Sequence, residues 1–146
     1  MPIEPDEQQL AAIAGRAGGP DDGPIVMLNL NRYRERAEYA EAPREGRDAD
    51  VTGREAYARY GEVAQGVLER VGARILWYCA AQETVIGDAT DVYDEVIAVW
   101  YPNRTAFIGL ATAPEVIPAL ADCVAGLERA AIICCEAGSE PVLTGP

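Results

Sequence analysis

Residues 25–33 read Ile25-Val26-Met27-Leu28-Asn29-Leu30-Asn31-Arg32-Tyr33, and no other segment constrains the fold as much. This is an apolar strand that ends in two amides and runs into an arginine-rich stretch. A strand sends alternate side chains to opposite faces, so Asn29 and Asn31 share one face and Leu28 and Leu30 the other. The spacing predicts a sheet whose leucine face packs on helices. Its other face turns polar toward one end and lines a cavity or an interface.

The remaining elements follow from local signals. Asp6 and Gln9 have capping-box spacing, with Leu10, Ala11, Ile13 and Ala14 behind them, which predicts a helix over 6–17 closed by Gly18-Gly19-Pro20. Residues 34–51 are polar and aperiodic, with Glu35, Glu38, Glu41, Glu45 and Asp48 among them; a loop this long is unusual in a compact domain and often functional. Thr52-Gly53-Arg54-Glu55 starts a helix whose apolar positions, Ala56 to Val71, recur at three- and four-residue steps until Gly72. Strands are predicted over 73–81, with a possible continuation through Thr84-Val85-Ile86, and over 93–101. On the first of these, Leu76 and Tyr78 are expected opposite Ile75 and Trp77. Asn103 caps a short helix, and Thr112-Ala113-Pro114-Glu115 opens another that Pro118 bends or delays. Residues 130–136 form the last strand, followed by a tail.

The order strand, helix, strand, strand, helix, strand is that of split βαβ units. It predicts an α+β, ferredoxin-like βαββαβ sandwich with an antiparallel four-stranded sheet and both helices on one face. We divide the 146 residues into an N-terminal helical extension (1–23), the ferredoxin-like domain (24–136) and a C-terminal tail (137–146). The face away from the helices is expected to carry Met27, Ile97, Val99 and Trp77. So apolar a face needs covering, and a homodimer through the open sheet face is the simplest cover.

Composition narrows the function. The formal net charge is −12, every cation is an arginine, and histidine is absent. Such a surface repels phosphate backbones and anionic lipids, which argues against nucleic acid and membrane partners. Without histidine the chain lacks the commonest general base and metal ligand, and without lysine it lacks Schiff-base chemistry. Cys79, Cys123, Cys134 and Cys135 make no C-x-x-C pair, so no metal site and no cofactor are expected. Four free, mostly buried thiols and an N-terminus unlike a signal peptide point to the cytoplasm.

Met27-Leu28-Asn29-Leu30-Asn31-Arg32-Tyr33, Gly53-Arg54-Glu55-Ala56-Tyr57 with Arg59-Tyr60, Val85-Ile86-Gly87, Asp94-Glu95-Val96, Tyr101-Pro102-Asn103-Arg104 with Ala106-Phe107, and Pro114-Glu115 stand in that order. As a set they resemble the bacterial domain-of-unknown-function family numbered 1330, over roughly residues 24–136. The resemblance implies membership of the dimeric α/β-barrel superfamily, whose protomers are ferredoxin-like and whose paired sheets form a barrel. It implies no established activity. The wider superfamily includes cofactor-free monooxygenases, muconolactone-type isomerases, haem-binding enzymes and stress-response dimers. Relatives often carry a tyrosine after Pro-Glu and a His-Arg pair in the last helix, where this chain has Val116 and Asp122-Cys123.

The candidate ligand-binding residues are Asn29, Asn31, Arg32, Tyr60 and Trp77. Amides suit a carbonyl or enolate oxygen, because an N–H donor stabilises developing oxyanion charge; they equally suit backbone capping at a strand end. Arg32, with Arg34 and Arg36, suits a carboxylate, or a solvated edge. Tyr60 lies three residues from Tyr57 on one helix face and reads as core or as pocket. Trp77 suits an apolar wall, whereas Trp100, alternating with Val96 and Ala98, reads as core. Glu83 and Asp94 are general bases only if buried. The expectation is a small-molecule-binding protein, with cofactor-independent monooxygenase or isomerase chemistry on a small organic acid or aromatic, and with residues 34–51 closing as a lid. The alternative is a non-catalytic dimeric sensor or stress-related interaction module.

Overall fold

The structure is a computed structural model that describes residues 3–43 and 46–142. Expectations for Met1-Pro2, for Glu45 and for the last four tail residues lie outside the described residues. The elements are α1 (Glu7–Arg16), β1 (Ile25–Tyr33), α2 (Gly53–Arg70), β2 (Arg74–Ala80), β3 (Glu95–Tyr101), α3 (Arg104–Ala111), α4 (Val116–Gly126) and β4 (Leu127–Glu136). One antiparallel sheet has the order β2-β3-β1-β4. With helices on one side, this is the ferredoxin-like α+β sandwich.

The helix starts obey their caps. Asp6 and Gln9 complete a capping box on α1, and Thr52 and Glu55 complete one on α2. Gly72 ends α2 at φ 80°, a conformation that costs glycine little. α4 begins only at Val116, which puts Pro118 in the first turn, where its missing N–H is harmless. Thr84-Val85-Ile86 does not extend β2: Val85 and Ile86 are almost fully exposed in an irregular segment. A bulge between Ile75 and Trp77 also breaks the alternation expected on β2. Leu76 and Trp77 both join the cluster around Trp100, while Ile75 and Tyr78 line the opposite side.

The two faces are reversed relative to the sequence reading. Ile25, Met27, Val99 and Tyr101 pack under the helices with Ala64, Val67, Leu68, Leu110 and Val116, and Ile97 packs against the same cluster. Met27, Ile97 and Val99 are therefore not on the open face, and Leu28 is not under the helices. Val26, Leu28, Trp77, Ala98 and Trp100 form a second cluster on the far side. The reason is hydrogen bonding. The polar set that Asn29 and Asn31 share with Tyr33 and Glu95 meets Arg54 of α2 on the helix side, where Arg54 donates to Glu95, so Val26, Leu28 and Leu30 are turned outward with Arg32 at their end.

The tail is not loose where it is described. Ala137 N–H donates to Pro24 O, Trp100 Nε1 donates to Gly138 O at 3.0 Å, and Val142 reaches the hollow beside Trp77. Residues 137–142 thus cover one end of the open face and bury Trp100. At the other end of the chain, Ile13 of α1 packs on the main core. Asp22 ties the turn after α1 to the start of α3, accepting from the N–H groups of Gly18, Arg104 and Thr105 and from Thr105 Oγ1.

Burial pushes the Asp22 pKa up, but these hydrogen bonds outweigh it and hold the carboxyl at about 2, below its ordinary 3.8. A folded-state pKa below the unfolded value gives stability that is present above the unfolded pKa and lost as pH falls through the folded one. Asp22→Ala is expected to cost about 1 kcal/mol at neutral pH, the usual worth of such a helix-start acceptor. In urea denaturation its gap from wild type should close as pH drops from 3.8 toward about 2. An equal gap at both ends of that window would show that the carboxylate charge is irrelevant.

Candidate functional site

A cleft of about 440 Å³ opens between the sheet-facing side of α2 and the helix face of β2, β3 and β1. Helical spacing builds one wall: Arg54, Tyr57, Gly61, Gln65 and Leu68 recur along α2 and look into the cleft. Strand alternation builds the other, with Glu95, Ile97, Val99 and Tyr101 on β3 at every second residue.

One end is polar and tightly hydrogen-bonded. Tyr33 OH donates to Glu95 Oε1 at 2.6 Å and accepts from Asn31 Nδ2 at 3.3 Å. Arg54 Nη1 donates to Glu95 Oε2 at 3.0 Å, and its guanidinium sits 4.7 Å above the Tyr33 ring. Tyr33, Tyr57 and Tyr60 continue as an aromatic row, with ring centroids 5.3 and 5.5 Å apart. The far end is apolar, with Leu68, Leu110 and the Tyr101 ring, which meets Phe107 edge-on at 5.4 Å.

Burial, followed by the hydrogen bond to Glu95, holds the Tyr33 pKa well above the ordinary tyrosine value. Burial and then Cys123 push Tyr60 up to about 12. Burial likewise raises Tyr57 and Tyr101. All four phenols stay protonated at neutral pH and act as neutral hydrogen-bonding groups. Cys123, on α4 behind this row, is pushed up to about 12, first by burial and then by Glu4 and Asp122, so it is no thiolate nucleophile. Cys79 and Cys134 are exposed and Cys123 and Cys135 half-buried, which corrects the expectation of mostly buried thiols.

The structure divides the five residues singled out from the sequence. Asn29 and Tyr60 line the cleft, and Asn31 lies just beneath it, 2% exposed, behind Tyr33. Arg32 and Trp77 are on the opposite face of the sheet. Arg32 Nε pairs with Glu128 at 2.6 Å, and Trp77 borders a shallow apolar hollow of about 280 Å³ with Val26, Leu28, Ala98, Cys135 and Val142. No single site holds all five residues. Glu83 is exposed, and Asp94 braces the strand ends, accepting from Tyr33 N–H at 2.8 Å.

The described residues of 34–51 do not border the cleft either. Where described, they lie along α2 and α4: Glu38 N–H donates to Ala125 O, and Tyr39 OH donates to the buried Asp122 at 2.7 Å while accepting from Arg59 at 3.0 Å. In place of the implied His-Arg pair, Asp122 therefore anchors this loop. Glu95, Arg54 and Tyr33 line the candidate cleft as well, and the sequence reading does not single them out. A signal existed: Tyr33 shares a strand face with Asn29 and Asn31, and Glu95 alternates with Ile97.

No single helix among the described residues is long and apolar enough to cross a membrane. No protein-family model and no curated protein matches the chain. Among solved structures, the methylated RPA0582 protein is 32% identical, with a TM-score of 0.80, over 93% of this chain and 94% of that one. A second structure of RPA0582, described as a protein of unknown function from Rhodopseudomonas palustris, is 30% identical with the same TM-score, over 92% and 95%. A dimeric protein of unknown function and ferredoxin-like fold from Bacteroides fragilis is 14% identical, with a TM-score of 0.49, over 79% and 97%.

Proposed function

Because the chain belongs to the same family as RPA0582 of Rhodopseudomonas palustris, a protein of unknown function, we propose a role from its own geometry: it binds a small aromatic molecule in the α2 cleft. The observation that carries this reading is a cleft of about 440 Å³ walled by tyrosines and aliphatic residues, with one compact polar cluster, Tyr33–Glu95–Arg54, at its end. Apolar walls with few polar groups are what small-molecule sites have in common. Of the two ligand classes expected, an organic acid fits poorly. Glu62 and Glu95 line the cleft, and Arg54 already pairs with Glu95, so a carboxylate meets like charge.

The protein works, in this reading, as a cytoplasmic homodimer joined through the open sheet face. Beyond the part covered by the tail, Leu28, Leu30, Val96, Ala131 and Ile133 lie opposite one another in register and remain half-buried or exposed. A continuous apolar face of this kind is normally covered. The same face, with the ordered motifs from Met27 to Glu115, supports placing the family with domain-of-unknown-function family 1330 and its sheet-to-sheet barrels.

Native mass spectrometry of freshly purified protein tests both parts. A dimer carrying extra non-covalent mass is expected; a bare monomer would count against the whole reading. Ile133, 52% exposed, is the sensitive position. Ile133→Glu places an unpaired charge in the proposed interface and should yield a folded monomer. A dimer that persists in this variant would rule out the sheet-to-sheet arrangement.

A further inference from the structure

The hydrogen-bonding inventory of the cleft specifies its ligand further than size and polarity do. Asn29 spends its amide protons on backbone, donating to Met27 O at 3.1 Å and Ile97 O at 3.5 Å. Its Oδ1 is left as an acceptor, and Glu95 beside it is acceptor-only. Tyr60 and Tyr101 present the opposite chemistry. They reach the cleft from α2 and β3, and each hydroxyl is without a hydrogen-bond partner among the described residues. Arg34 Nε is the buried side-chain polar atom left unpaired among the described residues. The two hydroxyls are therefore not sealed in the core but open on the cleft. They are near enough that Tyr60 contributes to the raised pKa of Tyr101. A largely buried hydroxyl without a partner is costly unless something in the site accepts its proton.

We infer that the ligand is a neutral aromatic carrying a carbonyl, whose oxygen accepts from Tyr60 and Tyr101, and a separate O–H or N–H that donates to Asn29 Oδ1 or Glu95. This rests on the cleft being the binding site. It adds an order of preference: a hydroxylated aromatic ketone above a ketone or a phenol alone, and all three above an aromatic acid.

Calorimetric titration with four probes, at a pH that keeps the phenols neutral, tests it: para-hydroxybenzophenone, benzophenone, para-benzylphenol and para-benzoylbenzoate. Each lost hydrogen bond is expected to cost roughly tenfold in Kd, so para-hydroxybenzophenone binds tightest and the benzoate weakest. The Tyr60→Phe, Tyr101→Phe double variant should erase the advantage over para-benzylphenol and keep the advantage over benzophenone. Because these hydroxyls bond to nothing in the protein, the variant should also unfold at the wild-type temperature. Equal affinities in the wild type, or an unchanged ketone preference in the double variant, would overturn the inference and leave the cleft reading standing. If none of the four compounds binds, the cleft reading fails and this inference with it.

Discussion

Gly126→Ala is expected to destabilise the protein by about 3 kcal/mol or more, a large share of the roughly 5–15 kcal/mol available to a domain. Gly126 ends α4 and Gly53 begins α2, and the two backbones touch. A β-carbon on Gly126 would lie 2.3 Å from Gly53 O and 3.0 Å from Tyr57 N. One on Gly53 would lie 2.2 Å from Arg34 O and 2.6 Å from Gly126 O. Every one of these neighbours is backbone, so no side-chain rotation relieves the clash. The helices would have to separate, breaking the hydrogen bonds from Arg34 N–H to Gly126 O at 2.8 Å and from Gly53 N–H to Arg34 O at 3.1 Å. Neither glycine has positive φ, so the requirement is for space and not for an unusual backbone conformation.

Gly66 is the control. It lies inside α2, and a β-carbon there would meet nothing within 4 Å. Gly66→Ala should stabilise by about 1 kcal/mol, the helix-propensity difference. Urea denaturation of the two variants should therefore move in opposite directions. A Gly126→Ala protein that unfolds at the wild-type midpoint would show that the crossing is looser than its geometry indicates.

The second large effect is functional. Gly61→Leu is expected to weaken ligand binding about 100-fold or more while leaving the fold at least as stable. Gly61 lines the cleft, and a β-carbon there also meets nothing within 4 Å. A leucine on this helical position gains propensity and projects its branched end into the space a ligand would fill. Loss of the extra non-covalent mass in native mass spectrometry, with an unchanged or raised Tm, is the expected result. Undiminished binding would place the ligand elsewhere, with the hollow beside Trp77 on the open face as the next site to test.

The local structure was legible because its signals are local. Thr52 and Glu55 announce the start of α2, Gly72 its end, and Pro118 the late start of α4. Each requirement is met within one turn of chain. The element order then leaves few topologies, and the ferredoxin-like sandwich is the one observed. Less was legible on β2. The bulge at Ile75/Trp77 puts Leu76 and Trp77 on one side, and nothing in a run of apolar residues marks where an extra residue is inserted.

The candidate cleft is half legible in the sequence: Asn29 and Tyr60 line it, Asn31 lies just beneath it, and Arg32 and Trp77 lie on the other face of the sheet. Alternation puts Asn29 and Asn31 on one face, and the structure turns that face toward the helices, where Tyr33, Glu95 and Arg54 join it. Length and charge in residues 34–51 suggest a lid, whereas the buried partner Asp122 holds Tyr39, and with it the described part of this loop, against the helices.

What the sequence by itself determined is which residues of β1 and β3 share a face, where α1 and α2 begin and end, and the order of strands and helices, because each depends on backbone periodicity or on groups within a few residues. Which face the helices cover was decided only by the tertiary structure. That choice depends on partners far apart in the chain: Glu95 for Tyr33 OH, Ile97 O for Asn29, Arg54 for Glu95. A strand with leucines on one side and amides on the other is ambiguous until those partners arrive. The side that can satisfy the amides becomes the inside, and the greasier side is left to the tail and, in our proposal, to a second copy of the chain.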